Sequence, residues 1–211
     1  GYPWHGGISD MSISADNKGV DIASSVFKDD MAVNGLKLLE LKSCCLDVAF
    51  YNKLVGEVKN KSSVLLSTTS QLIKHACDSF GTDCLQILVD RQGGRGHYRK
   101  PLQLMFPDAQ LAILRETETV SSYELRDNLR NMRIHFVVGA DRKFLPVSLA
   151  SMVSKFLREL LVESMNRYFT SRCVGLRPTA GYWQDGMRFI TDLKRDFPDF
   201  QYDSNQLIRC R

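Results

Sequence analysis

Leu85-Gln-Ile-Leu-Val-Asp90 and Ile134-His-Phe-Val-Val-Gly-Ala-Asp141 are two apolar runs of β type, each closed by an aspartate. The near-continuous apolar character of the first predicts a strand buried on both faces, as in the centre of an α/β sheet. Open α/β sheets bind ligands at the carboxyl ends of their strands, and rigid strands hold carboxylates close enough to share a hard cation. Asp90 and Asp141 are therefore the candidate metal-binding and catalytic pair, with Mg²⁺ or Mn²⁺ as the cation and a phosphodiester as the substrate class. One aspartate after an apolar strand is equally a turn former. Two of them, each followed by a basic segment, point to phosphate chemistry.

After Asp90 runs Arg91-Gln-Gly-Gly-Arg-Gly-His-Tyr-Arg-Lys100, a glycine-broken loop with four Lys or Arg in ten residues. Glycine lets a phosphate approach and arginine supplies paired donors, so Arg91 and Arg95 are candidate phosphate ligands and His97 a further donor. No Gly-Lys-Ser or Gly-Lys-Thr ends the loop, so it is not a Walker motif. Behind Asp141, Pro146 starts a helix expected over 147–169, with Leu149, Met152, Val153, Phe156, Leu160 and Met165 as its buried stripe. Ser151, Lys155 and Arg158 fall at i, i+4 and i+7 on that helix, a spacing suited to tracking a backbone. A polar outer face, with Lys155 paired to Glu159 or Glu163, is the plainer alternative.

Charge is uneven along the chain. Residues 1–90 carry 8 Lys or Arg against 11 Asp or Glu, whereas residues 126–195 carry 13 against 6. The second half can attract phosphate backbones and release counterions, or it is simply a solvated basic face. With 211 residues, 44% hydrophobic and 25% charged, the chain has the profile of an ordinary globular protein of one or two domains. No run of eighteen apolar residues and no secretion-type start is present, which predicts a cytoplasmic protein without membrane association. The six cysteines include no Cys-x-x-Cys, so buried free thiols are expected in preference to a zinc site or a disulfide framework.

Outward from the two decisive runs, residues 1–35 read as an irregular amino-terminal segment with at most a short helix. Leu36 to Asp47 alternates enough to predict a strand, Val48 to Val58 a short helix and Lys61 to Phe80 a longer one stopped by Gly81. The longer helix shows Val64, Leu65, Leu72, Ile73 and Ala76 at helical spacing. Leu102 to Met105 reads as a helical turn, and Gln110 to Glu116 and Met132 to Val138 as strands, with the intervening segment open between strand and loop. Pro178-Thr-Ala-Gly-Tyr182-Trp-Gln-Asp185 is a turn entering a last helix. No internal repeat occurs.

The order Val89-Asp90, Ala140-Asp141, the segment Leu145 to Arg158, and Gly181-Tyr182 resembles the type 2 ribonuclease H family, which cleaves the RNA strand of RNA-DNA hybrids. The resemblance covers residues 36–189 and is most specific over 140–158. It implies an α/β, ribonuclease H-like mixed sheet flanked by helices over 36–211; the span between Asp90 and Asp141 is longer than in that family and is expected to insert an extra strand pair at about 106–138, the mark of a remote branch. It places Asp90 and Asp141 at the family's third and fourth metal-binding carboxylates. It gives Ser151 and Lys155 a phosphate-binding role, and Tyr182 the recognition of a sugar at the RNA-DNA junction. Trp183 stays structural.

The family opens with a strand carrying Asp-Glu-Ala-Gly-Arg-Gly, which supplies its first two carboxylates, and this sequence has no such segment. Part of the amino-terminal sheet is thus expected to be missing and to come from a preceding segment or a partner chain. Hydrolysis of a hybrid then awaits those carboxylates, since Mg²⁺ keeps most of its waters when protein ligands are few. Glu116, Glu118 or Glu124 are candidate substitutes from the inserted segment, against the plainer reading of exposed surface residues. The alternative is a catalytically inactive nucleic-acid-binding or assembly module on the same fold. A small-molecule enzyme using the Gly93 loop fits poorly, because Pro101 follows where a glycine loop would enter a helix.

Overall fold

In a computed structural model, residues 2–11, 17–81, 83–93, 95–127 and 131–210 are described. The chain divides into two compact units, one of Gly1–Lys42 with Ser154–Asp203 and one of Ser43–Val153 with Ser204–Arg211. The second unit holds the sheet.

That sheet follows two helices, α2 (Val48–Val58) and α3 (Lys61–Phe80), which come after α1 (Asn17–Val33) of the other unit. Asp47 and Asn60 start α2 and α3, their side chains accepting from the N–H of Phe50 and Ser63, and these caps explain why the boundaries were legible. Then come β1 (Asp83–Asp90), α4 (Arg99–Met105), β2 (Gln110–Glu116), β3 (Val120–Arg126) and β4 (Asn131–Val137). The strands lie in the order β1-β4-β3-β2. β1 and β4 are parallel, with Asp90 opposite Val137, and β2, β3 and β4 form an antiparallel meander. The segment left open in the sequence is therefore a strand, β3. The expectation of a central β1 is corrected: among the described residues β1 pairs on one side only, and its apolar residues are half-buried because β3 and β4 take the middle.

The core lies on one face of this mixed sheet. Tyr123, Leu125, Met132, Ile134 and Phe136 meet Leu66, Ile73 and Cys77 of α3 and Leu102 of α4. Tyr98 lies flat on Phe136, ring centroids 3.6 Å apart. Large side chains buried this way stabilise by about 1.5–3 kcal/mol each. Leu65, expected on the apolar stripe of α3, is exposed, and Leu66 takes its place. The other face is polar over β3 and β4: Glu124 pairs with Arg133 at 3.0 Å and Arg126 at 2.7 Å. His135 bridges Ser122 and Gln86 at 2.8 and 3.0 Å, and burial lowers its pKa, favouring the neutral ring. At the end of that face Val147, from the start of α5 (Leu145–Thr170), packs with Val137 and Ala140.

In the other unit α1 is longer than the short helix expected; residues 36–47, of which 43–47 belong to the unit of the sheet, form no strand. Leu36, Leu38, Leu39 and Leu41 are all exposed, so the alternation there finds no partner strand among the described residues. Phe169 of α5 centres this unit's core, in ring contact with Trp4, Phe189 and Phe200. The expected stripe on α5 is also corrected. Met152 and Phe156 are exposed, whereas Leu160, Ser164, Asn166 and Phe169 are buried, because the polar pair bonds inward: Ser164 donates to the carbonyl of Trp4, and Asn166 to that of Thr179. All six cysteines are free; Cys77 and Cys173 are buried as expected, but Cys44, Cys45 and Cys84 are exposed. No described helix is long and apolar enough to cross a membrane.

Candidate nucleic-acid interface

Gly139, at φ +61, turns the chain after β4 into a single 3-10 turn, Ala140–Arg142. Asp90, at the end of the adjacent parallel strand, accepts the Ala140 N–H through Oδ1 at 2.9 Å. The residue after Ala140 is Asp141, so the two aspartates of the sequence analysis stand at the same end of the β1-β4 pair. Asp90 is exposed and Asp141 half-buried. Ser148 Oγ donates to the Asp141 carbonyl at 2.7 Å, which ties the 3-10 turn to the first turn of α5.

The basic loop that follows is braced by its own arginine. Arg91 donates through Nε to the Arg95 carbonyl at 2.7 Å, and through a terminal nitrogen to the carbonyls of Thr117 and Glu118 at 3.0 and 2.5 Å. Its guanidinium joins the loop to the β2-β3 turn. A Cβ on Gly96 would lie 2.8 Å from the other terminal nitrogen, which is why that position suits glycine. Arg95 reaches Ser62 of α3 at 3.4 Å, and Gln92 donates to Thr69 at 2.9 Å.

A relay that sequence reading missed lies beside this loop. His97 Nδ1 meets Glu116 Oε2 at 2.9 Å, and Tyr123 donates to Oε1 of the same carboxylate. The Tyr123 oxygen in turn accepts the Tyr98 N–H at 2.8 Å. The His97 side chain is 80% exposed and Tyr123 fully buried, so the carboxylate links surface to core. Burial, then the bond to Glu116, pushes the Tyr123 phenol up to about 12; that same bond holds the Glu116 carboxyl below its usual range. Glu116 and Glu124 are thus occupied by tyrosine, histidine and arginine. Among the described residues, no group of three or more His, Cys, Asp or Glu comes together to hold a metal ion.

Of the helix residues, Ser151 belongs to the unit of the sheet, and Lys155, Arg158 and Tyr182 to the other. Lys155 is exposed, and Glu163, one of the two partners expected for it, pairs with Arg167 at 2.8 Å. Arg158 and Tyr182 are brought together: the guanidinium lies 4.2 Å from the ring centroid and donates to the Ala180 carbonyl at 2.5 Å. Tyr182 is 67% exposed and caps α6 (Trp183–Asp196). Beneath it the turn is fixed. Asp185 accepts from Thr179 Oγ1 at 2.8 Å and from the Ala180 N–H at 2.6 Å, and pairs with Arg188 at 2.8 Å. Those donors, the Ala180 N–H first, hold the Asp185 carboxyl down at about 2. Arg158 is accordingly a brace for an exposed aromatic ring. Trp183, expected to be structural, is also exposed.

No protein-family model, curated protein or solved structure matches this chain.

Proposed function

We propose that the chain binds the phosphates of an RNA-DNA hybrid and is built on a ribonuclease H-like plan. Asp90 and Asp141 take Mg²⁺ or Mn²⁺ in this reading, and the RNA strand is cleaved when further carboxylates are supplied. The observation that carries it is the bond from the Ala140 N–H to Asp90, which brings the Asp90 carboxylate to the residue before Asp141 at the carboxyl end of a parallel strand pair. Arg95 and Ser151 offer donors in the same unit. In the other, Lys155 offers an exposed ammonium, and Tyr182 an exposed ring, held by Arg158, against which a sugar can pack.

The residues present do not fit a firmly held metal pair. Two carboxylates, one already accepting a backbone N–H, leave most of a hard cation's oxygen ligands to water. No hydrolytic step is therefore assigned to this chain alone. Its residues orient phosphate and sugar. This favours the second reading, a catalytically silent nucleic-acid-binding or assembly module.

Mn²⁺ affinity measured by electron paramagnetic resonance, beside a hybrid cleavage assay, tests the site. The expected result is weak Mn²⁺ binding and hybrid binding without cleavage, with Mn²⁺ affinity lowered about tenfold or more in Asp90→Asn, Asp141→Asn. Unchanged Mn²⁺ affinity in that double variant removes the proposed metal site. Cleavage by the unmodified chain removes the silent-module reading.

A further inference from the structure

On the polar face of the sheet, one row of side chains crosses the strands. Ser122 of β3 stands opposite His135 of β4 on one side and opposite Arg115 of β2 on the other. Residues opposed in this way share a face, with their β-carbons about 4.5–5.5 Å apart. Ser122 Oγ lies 2.8 Å from His135 Nδ1, and His135 Nε2 lies 3.0 Å from Gln86 Oε1 of β1. A hydroxyl, an imidazole and an amide are thereby joined in a line over β3, β4 and β1. In the neighbouring row Glu124 is taken up by Arg133 and Arg126, so no carboxylate competes for the ring there.

The amide fixes the protons. Gln86 Oε1 can only accept, so His135 Nε2 carries its hydrogen and Nδ1 keeps a lone pair. Ser122 is then the donor, its proton directed at Nδ1. Burial first, then the charge of Arg133, lowers the His135 pKa, which leaves the ring neutral and able to take that proton. A hydroxyl bonded to a neutral imidazole whose other nitrogen is oriented by a third group is the arrangement that activates a serine nucleophile. Ser122 is 6% exposed, whereas Gln86, Arg115 and Arg133 of the same face are exposed. The serine is recessed on a face that is open to solvent.

We propose that Ser122 and His135 form an esterase-type site for carboxylic esters, with Gln86 as its positioning residue. Ser122 Oγ bonds to the ester carbonyl carbon as its proton passes to His135 Nδ1. The ester C–O bond then breaks, and the departing alkoxide takes that proton from Nδ1, leaving acyl-Ser122 and a neutral ring. Water attacks the acyl carbon and gives a proton to Nδ1; the bond to Oγ breaks, and Oγ recovers the proton as the acid leaves. Arg115, one strand away, supplies the cation for the oxygen on which charge gathers. An amide supports the transient imidazolium less well than a carboxylate, so this serine reacts slowly and Gln86→Glu should quicken it. Neither the nucleic acid nor Asp90 and Asp141 takes part, so the two readings can fail separately.

Labelling of the full chain with a fluorophosphonate, located by peptide mass spectrometry, decides it. The probe forms an Oγ–P bond and releases fluoride with the serine proton. Ser122 is expected to be labelled, with a midpoint in the pH profile below 6.5 that reports the neutral ring. His135→Gln, checked for folding by thermal unfolding, should slow labelling by about a hundredfold or more. Gln86→Glu changes an exposed residue; it should raise the rate and move the midpoint upward, which a merely structural amide would not do. A p-nitrophenyl acetate burst of about one equivalent per chain, lost in Ser122→Ala, should accompany the label. An unlabelled Ser122, or a rate and midpoint unmoved by Gln86→Glu, overturns the site and leaves the row as a structural link between strands.

Discussion

Asn166 and Thr179 clasp each other through two buried bonds: the Asn166 amide donates to the Thr179 carbonyl at 2.8 Å, and its oxygen accepts the Thr179 N–H at 2.9 Å. One side chain thereby pairs both backbone groups of a residue thirteen positions away, at the base of the turn that presents Tyr182. Asn166→Ala leaves both groups buried and unpaired, a loss on the order of 3 kcal/mol. Denaturant unfolding measures it; a loss below about 0.5 kcal/mol contradicts the clasp.

Gly181 sits at φ +72, and a Cβ there would lie 3.0 Å from Val162 Cγ2 and 3.4 Å from an Arg158 terminal nitrogen. Gly181→Ala should therefore cost about 1–2 kcal/mol from backbone conformation, and displace Arg158 from the Tyr182 ring. Thermal unfolding and Tyr182 fluorescence report the two effects. An unchanged melting temperature removes the strain argument.

Asp185 supports the same turn in a pH-dependent way. Its folded value of about 2 lies below the ordinary 3.8, so its contribution is present in full above the ordinary value. That contribution is lost as pH falls through about 2. Stability lost by Asp185→Asn, measured at pH 6 and again at about pH 2, should shrink at the lower value. An equal loss at both contradicts the assignment.

Tyr123 shows the opposite sign. Its folded value, up to about 12, lies above the ordinary 10.0, so its stabilisation is intact below 10.0 and is lost as pH rises towards 12. Glu116→Gln removes the negative charge beside the phenol and should lower its alkaline titration, followed by ultraviolet absorbance. The buried phenol remains raised in part, because burial is the first cause. A titration unmoved by Glu116→Gln would mean that the relay to His97 is not formed.

Helices α2 and α3 were legible to the residue because Asp47, Asn60 and Gly81 punctuate them. β1, β2 and β4 were legible as apolar runs, but the place of β1 at the edge was not, since strand order is set by pairing and not by composition. β3 was ambiguous because Ser121 and Ser122 interrupt its apolar pattern. Both serines are buried, one bonded to the Gly96 carbonyl and one to His135, partners far away in sequence. Residues 36–47 misled for the converse reason, an alternating pattern without a strand to pair with. Within the site, the neighbourhood of Asp90 and Asp141 followed from two strand ends. The relay from His97 to Tyr123 carried no local signal, because contacts across 7, 19 and 25 residues make it.

We propose that this protein holds nucleic-acid phosphates. Fluorescence anisotropy of a labelled RNA-DNA hybrid, titrated with the full chain between about 50 and 200 mM salt, tests it most directly. Affinity should fall steeply and linearly on logarithmic axes, and Lys155→Ala should reduce the slope by about one. A hybrid that does not bind, or an affinity flat across that range, contradicts the account.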